Sequence, residues 1–329
     1  MSESAVAFID LLGFSNAVNN NTTLATEILG DFYEIVYQTK KDRLGDSQYY
    51  LVSDSLIVWS SDWAGMVSFL CEVYRKCLRK TIEYNKIDKI LLPRGGLSVG
   101  SVISQERHTQ PRDVKAFIIS PALVSATDIE KNMKGARLVI AVKNENENKK
   151  IYWNTATSSI LYETQSINGN NKCKYFDALW FSDLSLEHDD KKEQTELLFR
   201  DYLIFLVLNK DMNPKILPQY TETFRIGLLS YARFLEPVIT TPNWLMPIFS
   251  DFIDDKFWMI WLSIMEAYLF HGDEWALCKN KDFVNFFHQI CTRSGWGEAL
   301  NYLKKLKNDS LHNKITDFSL TLADNTFHE

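Results

Sequence analysis

Two aspartates carry the chemistry that this sequence suggests. Asp10 lies in the run Ala-Phe-Ile-Asp-Leu-Leu-Gly-Phe-Ser at residues 7–15, and Asp54 lies in Tyr-Leu-Val-Ser-Asp-Ser-Leu-Ile-Val-Trp at residues 50–59. Each carboxylate stands inside an otherwise apolar, strand-like run, where an ionised group is costly unless a cation neutralises it. Two such carboxylates side by side predict a site for divalent metal ions. Gly13 ends the first run and would let backbone amides approach an anion, so a phosphate is predicted beside the metals.

Four motifs, in this order, resemble those of the class III nucleotidyl cyclases. The family has Phe-x-Asp-x-x-Gly-Phe, a second Asp on a hairpin strand, an Arg-x-Gly-x-x-x-Gly strand, and a helix with Ala and Glu at fixed spacing. The third motif is Arg-Gly-Gly-Leu-Ser-Val-Gly at residues 94–100. The fourth, at residues 120–130, matches only in Ala126, Glu130 and the spacing. Order and separation match over residues 1 to about 145.

The resemblance implies both a reaction and a set of site residues. A cyclase of this family joins the ribose 3′-hydroxyl of a nucleotide to its own α-phosphate and releases diphosphate. Two metal ions would be held by Asp10, Asp54 and the backbone carbonyl of Leu11. Oxygen ligands without His or Cys favour Mg²⁺ or Mn²⁺. Gly13 and Phe14 of the first motif would contact the substrate.

The residue four positions before the second aspartate points to the base. Purine-specific cyclases have a lysine there, and this chain has Tyr50. A phenol adds bulk and one hydroxyl that both donates and accepts, which suits a smaller ring. Tyrosine at this position resembles the pyrimidine cyclases of the bacterial anti-phage Pycsar systems, which make cyclic UMP or cyclic CMP. Tyr49 could take the inward role instead, and Phe117 would be a second base contact. The sequence does not separate UTP from CTP.

The chain also departs from the family. The transition-state Asn and Arg of the family fall on Val124 and Asp128, neither of which can donate to a developing phosphate charge. Either other donors replace them or the activity is low. The candidate donors are Arg94, Lys131, Lys134 and Arg137, and Arg94 is also a predicted phosphate contact. Two alternatives stay open: an adenylate or guanylate cyclase with a divergent pocket, or a catalytically silent module that binds a nucleotide or a partner.

The elements that must position these residues can be read along the chain. Strand and helix patterns alternate as strand, helix, strand, strand, helix, strand, strand, helix, strand, which predicts an α+β, antiparallel-rich, ferredoxin-like domain. Polymerase palms and diguanylate cyclases share this fold, so it does not choose the function. Thr22 or Thr23 is predicted to cap the first helix, and Ser120 to cap the third, with Pro121 at its first position. The pair Gly95-Gly96 predicts a bulge or a close backbone approach.

Composition limits what else the protein can be. The chain has 329 residues, of which 46% are hydrophobic and 24% charged, with a net charge of −6. No broad electrostatic footprint for nucleic acid is expected. The five cysteines form no C-x-x-C pair, which predicts reduced thiols. The first residues lack the basic character of a signal peptide, so a cytoplasmic protein is expected.

The composition changes near residue 187, which predicts two domains. Residues 1–187 would form the cyclase domain, and residues 188–329 a mostly helical, aromatic-rich domain with a regulatory, sensing or dimer-stabilising role. The apolar run at 257–270 is about fourteen residues long, short of the roughly twenty that span a bilayer, so a buried helix is predicted and no membrane association. The family resemblance further implies a homodimer in which metal ligands of one subunit and base or phosphate contacts of the other complete each site.

Overall fold

The computed structural model describes residues 3–44, 47–86, 88–110, 113–143, 160–164, 173–209 and 217–232. The helix predicted at 257–270 and the part of the predicted helical domain beyond residue 232 lie outside the described residues. The described elements, in chain order, are β1 Glu3–Leu11, α1 Phe14–Asn20, α2 Thr22–Arg43, β2 Gln48–Val52, β3 Ser55–Ser60, α3 Trp63–Tyr84, β4 Pro93–Ser101, β5 Ile103–Gln110, β6 Asp113–Ile119, α4 Pro121–Lys131, β7 Leu138–Lys143, β8 Leu161–Thr164, β9 Cys173–Ala178, α5 His188–Leu208 and α6 Leu217–Ala232.

A seven-stranded sheet with the order β2-β3-β1-β4-β7-β9-β8 forms the centre of the fold, and β5 and β6 form a separate hairpin. β1 is antiparallel to both β3 and β4, whereas β4 and β7 are parallel. The crossovers β1-α2-β2 and β3-α3-β4 each join strands that are separated by a third strand, which is the ferredoxin-like arrangement. The predicted α+β fold is therefore confirmed. β8 and β9, which extend the sheet beyond β7, were not foreseen from the sequence.

The two faces of this sheet differ. Helix α3 packs on β1 and β3 and is itself packed by α2, and the alternate β1 residues Ala5, Ala7, Ile9 and Leu11 are buried. The other β1 residues face the opposite side, where α4 covers β4 and part of β1. We call the uncovered part of this second side, formed by Phe8, Asp10, Tyr50 and Ile57, the open face. Its four side chains are only half-buried.

Local signals explain the helix starts. Asn21 caps α2, since its Oδ1 accepts a hydrogen bond of 3.1 Å from the amide of Leu24. The predicted cap at Thr22 or Thr23 is therefore wrong by one or two residues, because asparagine caps at least as well as threonine and stands just before them. Ser120 caps α4 as predicted, with its Oγ 3.3 Å from the amide of Leu123.

The glycine pair of β4 allows the close backbone approach that the sequence predicts. A Cβ on Gly95 would collide with the carbonyl of Phe8 on β1, and a Cβ on Gly96 would collide with the carbonyl of Ala126 on α4. Larger residues at these positions would push α4 and β1 away from β4. Gly96 therefore fixes the depth at which α4 lies on the sheet, and Gly95 allows the close approach of β1.

A buried ion pair joins Arg137, the residue just before β7, to Asp177 of β9. Nε and Nη2 of Arg137 donate to the two carboxylate oxygens of Asp177 at 2.8 and 2.9 Å. Asp177 is fully buried and Arg137 is 3% exposed. The main chain beside this pair is also tied down, because the Arg137 carbonyl accepts hydrogen bonds of 2.9 Å from the Tyr74 hydroxyl and from the Gly95 amide. This cluster connects α3, β4, β7 and β9.

The chain divides into two compact units, Met1–Thr195 and Glu196–Glu329. In the described part of the second unit, Phe199 of α5 packs against Phe224 and Tyr231 of α6, and the Tyr202 hydroxyl donates to the carbonyl of Tyr220 at 3.0 Å. None of the described helices is both long and apolar enough to cross a bilayer. The predicted domains 1–187 and 188–329, and the role of the second, stay predictions.

Candidate active site

Asp10 stands near the end of β1 between two polar neighbours. Its direct cross-strand partners are Ser55 on β3 and Arg94 on β4. Oγ of Ser55 donates a hydrogen bond of 3.0 Å to Oδ1, and Nη2 of Arg94 lies 3.9 Å from Oδ2. The Asp10 side chain stays 23% exposed on the open face, so a ligand can reach it.

The electrostatics of Asp10 bring Asp54 into the same site. Burial is the main cause that raises the pKa of Asp10 to about 6, and the negative charge of Asp54 is the second cause. Glu130 raises the pKa further, whereas the Ser55 hydrogen bond and the Arg94 charge lower it. Asp54 directly precedes Ser55, the cross-strand partner of Asp10, so both aspartates lie at the same edge of the sheet. Arg94 and Ser55 do not fully neutralise Asp10, and a bound cation would.

Asp54 lies in a turn and not inside a strand. Val52 pairs with Ser55, which leaves Ser53 and Asp54 as a two-residue turn between β2 and β3. Ser53 has a positive φ of 54°, and its carbonyl accepts a hydrogen bond of 3.0 Å from the hydroxyl of Tyr33 on α2. The predicted hairpin is present, but the predicted strand position of Asp54 is wrong, because such a tight hairpin must place two residues outside the ladder.

The main chain of Leu11 is directed toward this turn. The Gly95 amide donates to the Arg137 carbonyl, so the main-chain polar groups of Gly95 point toward β7. The polar groups of Arg94, the residue before it, therefore point toward β1, where they pair with those of Asp10. Because ladder bonds alternate in direction along a strand, the Leu11 carbonyl points toward the β3 side. Asp54 lies on that side, because it directly precedes Ser55, the partner of Asp10. The predicted backbone oxygen therefore lies at the same edge of the sheet as both carboxylates.

Tyr50 shares the open face with Asp10. It pairs with Ile57, which in turn pairs with Phe8, and directly paired residues project to the same side of a sheet. The Tyr50 ring packs against Trp59 at a centroid distance of 5.4 Å. Tyr49 projects to the opposite side, where Nζ of Lys40 on α2 lies 5.4 Å from its ring centre.

The other predicted substrate contacts are dispersed. Gly13 adopts a left-handed conformation with φ of 74° and precedes α1, and the space around its Cα is open. The Phe14 side chain is buried, which leaves only its backbone for a ligand. Phe117 on β6 is 40% exposed, and its neighbour Ile118 packs toward the cluster that contains Tyr50. Within one chain, Phe117 is therefore not on the side of β6 that faces Tyr50.

The candidate phosphate donors separate into exposed and engaged residues. Arg137 is buried and bound to Asp177, so it is not a donor to a ligand on the open face. Arg94 lies between Asp10 and Glu130. Lys131, the last residue of α4, and Lys134, just beyond the helix, are exposed. Lys131 follows the exposed residues Val124 and Asp128 at helical spacing.

The donor set suits a hard divalent cation that also binds a phosphate. Within the described segments, no group of three or more His, Cys, Asp and Glu side chains is arranged to hold a metal ion by itself. Two carboxylates and a backbone carbonyl are the oxygen donors that Mg²⁺ and Mn²⁺ accept, and Mg²⁺ is usually bound by one or two carboxylates plus substrate phosphates. The under-neutralised charge of Asp10 fits such an ion.

The roles of two residues of the site are not predicted from the sequence. Ser55 holds Asp10, and Glu130 holds Arg94. Ser55 follows Asp54 directly, but its pairing with Asp10 depends on a strand register that cannot be read from the sequence. In the sequence, Glu130 is one of the matching residues of the fourth motif, and nothing there indicates Arg94 as its partner.

No family model and no curated protein matches the chain. Solved structures that superpose on it include the guanylyl cyclase Cya2, at 13% identity and a TM-score of 0.43 over 54% of this chain and 91% of that one. A bacterial light-regulated adenylyl cyclase has 10% sequence identity and a TM-score of 0.41, over 60% of this chain and 98% of that one. The guanylate cyclase domain of RhGC from Catenaria anguillulae in complex with GTP has 13% sequence identity and a TM-score of 0.41, over 54% of this chain and 96% of that one. At these values the likeness does not itself assign a function.

Proposed function

We propose that this protein is a cytoplasmic pyrimidine nucleotide cyclase. It converts UTP or CTP into 3′,5′-cyclic UMP or cyclic CMP and diphosphate, and the product is a second messenger in anti-phage defence. The observation that carries the proposal is the meeting of Asp10 and Asp54 at one sheet edge, with Tyr50 on the same face, in the order of the cyclase motifs.

The roles of the residues follow from their positions. Asp10, Asp54 and the Leu11 carbonyl would hold two Mg²⁺ or Mn²⁺ ions. Such ions, when bound, lower the pKa of the attacking hydroxyl and neutralise charge on the triphosphate. Ser55 keeps one oxygen of Asp10 oriented. Tyr50 offers a hydroxyl and a ring edge to a small base.

A homodimer would complete the site. Val52, two residues after Tyr50 on the same side of β2, is 60% exposed, and Phe117 on β6 and Val124 on α4 are 40% and 63% exposed. Exposed apolar residues that cluster at one side of a protein are typical of a partner surface. In a dimer, Phe117 and Lys131 of one subunit could meet the metal ligands of the other, and Lys131 would take over the transition-state role lost at Val124 and Asp128.

Incubating the purified protein with each of the four nucleoside triphosphates and Mn²⁺, followed by mass spectrometry of the products, tests the proposal. A cyclic pyrimidine product is expected from wild type, none from Asp54→Ala, and an undiminished yield from Asp42→Ala, which changes an exposed aspartate on α2. Purine products alone would reject the pyrimidine assignment. No cyclic product from any nucleotide, under conditions where the protein binds one, would favour a silent binding module.

Changing Tyr50 to lysine should lower the ratio of pyrimidine to purine kcat/KM. A cationic donor replaces the phenol, and a pocket that hydrogen-bonds one base discriminates against others by well over tenfold. Tyr50→Phe removes one neutral hydrogen bond, worth about 1 kcal/mol or roughly a fivefold loss. Competition assays with UTP, CTP, ATP and GTP measure both effects.

Tyr49→Phe is the matched control for these variants, because Tyr49 projects to the α2 side of the same strand. Its kcat/KM ratios should stay within about twofold of wild type, as expected for a residue that does not touch the base. A Tyr50→Lys variant with the wild-type ratio would show that another residue reads the base.

A further inference from the structure

Glu130 and Arg94 form a half-buried ion pair beside Asp10. Nε of Arg94 and Oε1 of Glu130 are 2.5 Å apart, and neither atom makes a hydrogen bond of normal geometry to any described residue. The Glu130 side chain is 5% exposed, whereas that of Arg94 is 25% exposed. The other end of the guanidinium reaches toward Asp10, with Nη2 at 3.9 Å from Oδ2. One cation thus faces two carboxylates, and it is closer to the buried one.

The backbone sets this geometry. Gly96 lies two residues after Arg94 on the same side of β4, and its missing Cβ lets the Ala126 backbone rest on the strand. Glu130 is one helical turn after Ala126, so it lies on the same face of α4. Contact at Gly96 therefore places Glu130 directly over Arg94. The position of Glu130 over Arg94 thus depends on the close packing of α4 on β4.

We propose that Glu130 is a positioning residue that keeps Arg94 from pairing fully with Asp10, and so leaves Asp10 free to take a divalent cation. The inference rests on the proposed function in that Asp10 is a metal ligand. A partly buried guanidinium needs a carboxylate partner, and only Glu130 and Asp10 are seen in ion-pair contact with it among the described residues. With Glu130 present, Nε of Arg94 lies 2.5 Å from Oε1 of Glu130, and Nη2 stays 3.9 Å from Oδ2 of Asp10. Without Glu130, the guanidinium would close on Asp10 and compete with the metal.

Binding of Mn²⁺ alone to the full-length protein, measured by electron paramagnetic resonance of the free ion, tests the inference without nucleotide or turnover. Glu130→Gln keeps the shape of the side chain and should weaken Mn²⁺ binding about tenfold, because the Arg94 charge then acts on Asp10 alone. Arg94→Gln should bind Mn²⁺ at least as tightly as wild type. The double variant Arg94→Gln/Glu130→Gln should return to within about threefold of wild type, since the competitor and its anchor are both gone.

Asp42→Asn is the charge-matched control, because it removes one exposed carboxylate from α2, which lies on the other side of the sheet. Its Mn²⁺ affinity should change less than about twofold, as expected for a screened charge. A merely structural role for Glu130 would leave the double variant as weak as Glu130→Gln, and that result would overturn the inference. Should Glu130→Gln fail to fold, weaker binding by Arg94→Gln would overturn it as well.

Asp10→Asn separates this inference from the proposed function. If Asp10→Asn binds Mn²⁺ as well as wild type does, Asp10 is not a metal ligand, and both proposals fail. If Asp10→Asn loses binding but Glu130→Gln does not, the proposed function stands and only the positioning role of Glu130 is wrong.

Discussion

Changing Asp10 to asparagine should slow cyclisation by roughly a thousandfold or more and, at the same time, raise the melting temperature of the metal-free protein. The loss of activity follows from the removal of one of two carboxylates at the sheet edge. Metal ions contribute several kcal/mol of transition-state stabilisation, and each 1.36 kcal/mol is a factor of about ten in rate.

The gain in stability has a different cause. Burial and the charge of Asp54 raise the pKa of Asp10 from 3.8 to about 6, so the ionised carboxylate is destabilised in the folded state. After allowance for partial exposure, the cost is about 1–2 kcal/mol, or roughly 3–6 °C. Asparagine keeps an oxygen that can accept from Ser55 and carries no charge.

The raised pKa of Asp10 also predicts how the stability difference between wild type and Asp10→Asn changes with pH. The folded state holds the Asp10 proton more tightly than the unfolded state, so wild type loses stability as the pH rises from about 4 to about 6. The advantage of Asp10→Asn should be complete above that window and absent below it. Thermal unfolding in excess chelator from pH 4 to 8 measures the difference, with Asp42→Asn as the control. An advantage that persists unchanged at pH 4 would contradict the electrostatic cause.

Changing Asp177 to alanine should be the most destabilising of the substitutions considered. The variant leaves the Arg137 guanidinium buried without its bidentate partner, and breaking such a pair costs about 3–5 kcal/mol. The melting temperature should fall by roughly 10 °C. Because the Arg137 carbonyl holds the Gly95 amide, β4 and the Arg94 site next to it should loosen too.

Two companions make this experiment decisive. Glu83→Ala removes one partner of the exposed Lys80–Glu83 pair on α3, and it should change the free energy of unfolding by less than about 1 kcal/mol. Arg137→Met/Asp177→Leu removes both buried charges and should regain most of the stability lost in Asp177→Ala. Chemical denaturation of the three variants measures these values. A double variant as unstable as Asp177→Ala would mean that the cost is a packing defect and not an unpaired charge.

The sequence supports the local parts of this architecture well. The first strand and the Ser120 cap of α4 both depend on residues within a turn or two of one another, so composition and spacing are enough to predict them. The predicted cap of α2 is one or two residues late because Asn21 and the following threonines compete for the same role. The position of Asp54 was missed for a related reason: an apolar run does not show where a hairpin turns.

Several partnerships depend on residues far apart in the chain. Arg137 was a candidate phosphate donor from its type and place, but it meets Asp177 on a strand that had no sequence signal of its own. Glu130 and Arg94 pair only because α4 settles against Gly96. Nothing in either segment alone shows that contact.

What the sequence determined by itself is the inventory: two aspartates, a tyrosine four residues before the second, a glycine pair, and the order of the elements that carry them. Tertiary structure decided which of these meet. Strand register sets Asp10 opposite Ser55 and Arg94, and a shift of one residue would turn Tyr49 instead of Tyr50 toward the open face. Register depends on turn geometry and on the packing of helices over the sheet, which are properties of the whole fold and not of any one segment.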